Sequence, residues 1–109
     1  MSTTSTTSFI FKKTLIESFM MILTSNVYTG SVFQIEKNPY QYVHLNMSMD
    51  SNILLSTFDL EGDECTIKLG DVYNSSKDAM SAVFKFIDTD VSSLKIVNKN
   101  DIIITEHVF

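Results

Sequence analysis

Early in this chain apolar residues recur at helical spacing, and from Ser31 onward they fall mainly on alternate positions. Phe11, Leu15, Phe19, Ile22 and Leu23 mark one stripe of a helix over Phe9–Ser25, with Ser8 as a suitable N-cap. Ile16, Met20 and Met21 widen the apolar surface beyond that stripe, so this helix needs cover on two sides. Either the second helix supplies the extra cover, or Met20 and Met21 face another subunit.

The period then changes to two. Val32–Glu36 reads as a short strand closed by Lys37-Asn38-Pro39. In the next strand Val43, Leu45, Met47 and Met49 point one way, and Tyr42, His44, Asn46 and Ser48 the other. Beyond Asp50-Ser51-Asn52, Leu54, Phe58 and Leu60 mark the inner face of a third strand. Beyond Glu61-Gly62-Asp63-Glu64, Cys65, Ile67 and Leu69 mark that of a fourth. Ser75, with Asp78 three residues on, resembles a capping box, and Met80, Val83, Phe84 and Ile87 form the stripe of the helix it opens. Two strands follow, Leu94–Asn98 and Asp101–Val108, joined by a hairpin turn at Asn98-Lys99-Asn100-Asp101.

The order α-β-β-β-β-α-β-β, with short links between strands, predicts an α+β fold. Its antiparallel sheet has about five to six strands, with both helices packed on one face. Residues 1–8, almost all Ser and Thr, are expected to form a polar tail, and 9–109 a single domain. The opposite sheet face carries Tyr42, His44, Asn46, Ser48, Thr66 and Lys68, with Ile103 or Ile104, a mixed surface suited to water or to a polar protein interface. The last strand, Ile102–Phe109, is expected in the middle of the sheet, because an apolar edge invites uncontrolled pairing. The alternative is that its edge or Phe109 docks on a neighbour by strand addition.

Composition narrows the function. The 109 residues carry thirteen carboxylates, eight lysines and no arginine, for a net charge of −5. Without arginine's planar fork, and with lysines scattered, the chain is ill suited to grip nucleic acid or nucleotides. Charged residues make up only 19%, and Ser, Thr and Asn fill the gap. Such a surface repels itself weakly and favours association with other proteins. One cysteine excludes an internal disulfide, and Cys65 reads as a small buried hydrophobe. Two alanines, one proline and abundant Ile, Lys, Asn, Phe and Met are the bias of AT-rich coding sequence, of the kind many viral and phage genomes carry.

Recognisable catalytic spacing is missing. His44 and His107 fall at outward strand positions with no His-x-x-x-His or paired-Cys pattern nearby. Asp59, Glu61, Asp63 and Glu64 crowd around Gly62 but do not match a calcium loop. There is no nucleophile elbow or glycine-rich phosphate loop, so no cofactor or metal is expected. Two Asn-x-Ser triplets at Asn46 and Asn74 lack an accompanying export signal. Lys12, Lys13 and Glu17 interrupt the first apolar segment, so no membrane span is expected.

The reading is a non-enzymatic protein-interaction or assembly protein, a small structural component of a virus or phage particle, resident in the cytoplasm or virion. It would oligomerise or join a larger assembly through Met20, Met21, Tyr42, His44, Ile103 and Phe109. The alternative is an acidic inhibitor of a host protein, with Asp88, Asp90 and the Asp59–Glu64 carboxylates as an imitation of nucleic acid charge. An enzyme would need a pocket joining a histidine to a carboxylate or Cys65.

Overall fold

A computed structural model of the chain describes residues 2–25, 30–37, 41–47, 52–61, 64–86 and 91–109. The elements are α1 (Ser2–Leu23), β1 (Val32–Lys37), β2 (Gln41–Met47), β3 (Ile53–Glu61), β4 (Glu64–Tyr73), α2 (Ser76–Phe86), β5 (Val91–Val97) and β6 (Ile103–Val108). All six strands join one antiparallel sheet in the order β4-β3-β2-β1-β5-β6. The fold is therefore α+β, in the element order the periodicity predicts.

Alternation along the strands builds the core. Phe33 and Ile35 of β1 lie opposite Leu45 and Val43 of β2, and opposite Ile96 and Leu94 of β5. These side chains are buried under the helices, as are Ile53 and Leu55 of β3. Each contributes roughly 1.5–3 kcal/mol through burial. α1 lies over β5 and β1, α2 lies over β3 and β4, and the helices touch each other. Both alanines of the chain, Ala79 and Ala82, are on the buried side of α2, where a small side chain lets the helix approach closely. Ser75 caps α2 through its hydroxyl, which accepts from the Asp78 N–H at 3.2 Å.

Several details depart from the expected pattern. The first helix runs on to Ser2, beyond the expected start at Phe9, because extending a helix already held by tertiary packing costs little once it is nucleated. Its buried stripe is rotated, comprising Lys12, Ile16, Phe19, Met20 and Leu23, and Phe11 is half exposed. Met20, expected at a subunit contact, is in the core. In α2 the buried line is Ala79, Ala82 and Val83, with Met80 and Phe84 at its flank.

The third strand has the opposite phase. Its three consecutive apolar residues, Ile53-Leu54-Leu55, allow either phase, and pairing with β2 decides between them. Leu55 lies opposite Leu45 and Ile53 opposite Met47, facing the helices. Leu54 and Phe58, expected inward, are on the open face beside Asn46 and Tyr42. The backbone of β4 pairs with this strand, Ile67 in register with Phe58 and Lys68 with Thr57. The side chain of Lys68, expected on the open face, lies outside the described residues. Gly70 belongs to the irregular step of this pair, where a Cβ would overlap the Leu55 carbonyl oxygen.

The final strand is not central. β4 occupies one edge, α2 carries the chain back across the sheet, and β5 pairs with the free side of β1. The hairpin then leaves β6 outermost. Ser48, Met49, Asp63, Ile87, Asp88, Asp90 and most of the first two expected turns lie outside the described residues, as do the side chains of Cys65 and Thr66.

The β5–β6 turn has the expected chemistry. The Asn98 side-chain oxygen accepts from the Asn100 and Ile102 N–H groups at 2.8 and 3.0 Å. Asp101 takes the left-handed conformation, φ 61°, that a three-residue hairpin loop requires. Asn98→Ala removes both side-chain bonds and is expected to destabilise the protein by about 1–2 kcal/mol, measured by urea denaturation.

Candidate functional site

The expected contact residues divide among three places. Met21 is 74% exposed and lines a half-open cleft of about 380 Å3 between the helices, with Glu17, Met80 and Phe84. Met20 touches the same cleft but is only 2% exposed, too enclosed to present a surface of its own. Tyr42 and His44 are on the open sheet face. Ile103 and Phe109 are at the β6 edge.

The open face is built as cross-strand rows. The central row runs Ser56, His44, Gln34, Lys95 and Glu106 across β3, β2, β1, β5 and β6. One flanking row contains Leu54, Asn46, Val32 and Val97, and the other Phe58, Tyr42, Glu36, Ser93 and Val108. The Ser93 hydroxyl donates to the Glu36 carboxylate at 3.1 Å. The Asn46 side-chain oxygen is buried and accepts no hydrogen bond from the described residues.

His44 packs on the Phe58 ring with centroids 4.4 Å apart. Burial lowers its pKa, and the Lys95 ammonium lowers it further, because both disfavour the imidazolium. His107 lies opposite the buried Leu94, on the helix side of the sheet. The two histidines are thus on opposite faces and form no pair. Among the described residues, no group of three His, Cys, Asp or Glu side chains is arranged to hold a metal ion. No helix among them is long and apolar enough to cross a membrane.

The β6 edge is where exposed apolar side chains collect. Phe11 of α1 lies edge-on to His107 and Phe109, at centroid distances of 5.8 and 6.2 Å, and His107 to Phe109 is 4.7 Å. Beneath them Lys12 is 7% exposed. Its ammonium donates to the Val91 carbonyl at 2.9 Å and sits 4.9 Å from the Phe109 ring centroid. In the sequence Lys12 reads as a break in an apolar segment, whereas in the fold its stem is packed and its charge ties α1 to β5. Only its helical spacing from Ile16 and Phe19 signalled this role.

No protein-family profile matches the chain, and no curated protein or solved structure is significantly similar to it.

Two outcomes follow from these contacts. Lys12→Met is expected to cost about 1–3 kcal/mol, as for a hydrogen bond to a charged group, and to speed amide exchange at Phe109; denaturation midpoints and hydrogen exchange measure both. By NMR titration His44 should protonate below the ordinary 6.5. Lys95→Gln should raise that value without restoring it, since burial is the larger cause. The sign for stability follows from the unfolded state binding the proton first. His44's contribution is full above the unfolded pKa and is lost as pH falls through the folded value, so His44→Phe should flatten that part of the acid limb.

Proposed function

We propose that this chain is a non-enzymatic protein-interaction and assembly component that engages another polypeptide through the β6 edge. The observation that carries this reading is the gathering of exposed apolar side chains there. Phe11 of α1, with Ile102, Ile103, Val108 and Phe109 on and around β6, are between 39% and 69% exposed. The aromatic contacts from Phe11 to His107 and Phe109 show that α1 and β6 present part of this set as one surface. An outermost strand also offers a row of unsatisfied backbone groups, which another extended chain can complete.

The open face supports the same reading less strongly, since its central row is polar from Ser56 to Glu106. Incorporation into a viral or phage particle is the form of assembly that the AT-rich residue bias favours.

A photo-crosslinking residue placed at Val108 in the producing cells should yield polypeptide adducts, while the same residue at Ser81, exposed on α2, should yield none. Absence of adducts at Val108 would overturn the proposal.

A further inference from the structure

We infer that the polypeptide taken up at this edge is a second copy of the chain, paired two-fold and antiparallel through β6 with His107 at the axis. The inference rests on the protein-binding reading above and specifies its partner.

Strand geometry first determines which groups are available. The Phe109 N–H donates to the Ser92 carbonyl at 2.9 Å, so Phe109 directs its backbone groups toward β5. In an antiparallel strand this direction alternates residue by residue. His107 and Thr105, opposite Leu94 and Ile96, therefore also point toward β5. Glu106 and Val108 point their N–H and C=O groups outward, to the open edge. The step between Ile96 and Val97 shifts the register, so Ile103 and Ile104 together oppose Val97. That bulge ends the regular part of the edge near Ile104.

Four two-fold registers centred within Thr105–Val108 would align outward groups with outward groups, and the one centred on Val108 pairs only that residue with its own copy and closes two backbone hydrogen bonds. Centring on Thr105 pairs Glu106 with Ile104 of the other copy, which is the bulged residue. Centring on Glu106 sets two carboxylates directly opposite each other, an unfavourable arrangement across a ladder. Centring on His107 pairs Glu106 with Val108 of the other copy, uses only the regular segment, and closes four backbone hydrogen bonds. Glu106 keeps Lys95 as its directly opposed neighbour within its own sheet, so each copy brings its own counter-charge. On the helix side the same register sets Thr105 against Phe109 of the other copy. It also brings together two aromatic sets, each already joining Phe11, His107 and Phe109. Val108, 69% exposed in the single chain, gains a cross-strand neighbour. Of the usual deterrents the regular part of this edge carries no lysine and no proline, and Glu106 is the one carboxylate within β6.

The experiment is sedimentation equilibrium of the full chain combined with a cysteine scan in a Cys65→Ser background. The unmodified protein should sediment at twice 12.3 kDa. Glu106→Pro removes an outward donor and leaves the β5–β6 ladder intact, so it should be a folded monomer by circular dichroism. A residue on the axis faces its own copy at about 4.5 Å between Cα atoms, within disulfide reach. His107→Cys should therefore cross-link to itself on oxidation, while Thr105→Cys and Glu106→Cys should not. Self-cross-linking at Thr105 or Glu106 instead would overturn the register. A wild-type protein that stays at 12.3 kDa up to millimolar concentration overturns self-pairing. If that monomer still gives Val108 adducts with a different polypeptide, the protein-binding reading stands alone; if it gives none, both fail.

Discussion

The width of the sheet governs this molecule. Six strands spaced about 4.8 Å apart span about 24 Å, and two helices, each about 10 Å across, cover little more than 20 Å of one face. α1 over β1 and β5, with α2 over β3 and β4, is the arrangement that spends this cover on the central strands. The consequences are a fringe at β6 and an opposite face without helices. Lys12 manages the fringe, because its buried stem and its bond to the Val91 carbonyl draw α1 toward the β5–β6 side. Phe11 and Phe109 are carried to the same place and stay partly exposed.

Much of this fold was legible where local chemistry and periodicity agree. The alternation Val43-x-Leu45 gives the buried face of β2, and the Asn98–Asp101 segment gives its hairpin because Asn can bond its own turn and Asp tolerates positive φ. Ser75 is a cap in sequence and in structure for the same reason, a hydroxyl placed three residues before an orphan amide. Where two phases were equally apolar, only pairing could choose. Ile53-Leu54-Leu55 fits either face of a strand, and the side chains of β2 select Ile53 and Leu55 for the core. The stripe of α1 was ambiguous likewise, since a helix apolar over most of its circumference has no single moment to orient it.

Strand adjacency is a different kind of information. Periodicity gives the order of elements along the chain, while the place of β6 depends on which edge β5 joins after α2 crosses the sheet. A return to the β4 side would have produced another set of edges from the same alternation. Of the candidate contact residues, Ile103 and Phe109 owe their exposure to that topological choice, whereas Met20 lost its exposure to the rotation of α1.

The two uncovered surfaces are not equivalent, and the difference bears on function. The open face meets water along a polar central row, and on its flanks Leu54, Val32, Phe58 and Tyr42 are each partly buried, Phe58 and Tyr42 as cross-strand neighbours. A face of that kind can remain solvated with no partner. The β6 edge is less protected: its outward backbone groups and Val108 have no further chain over them among the described residues, and Phe11 and Phe109 stay partly exposed although the Lys12 ammonium lies 4.9 Å from the Phe109 ring centroid. A protein with 19% charged residues and no arginine has few side chains with which to blunt such an edge. Completion by another strand satisfies the backbone and the apolar surface together, which solvent cannot do. The same shortage of cover that shapes the core thus points outward, from the width of the sheet to the need for a partner.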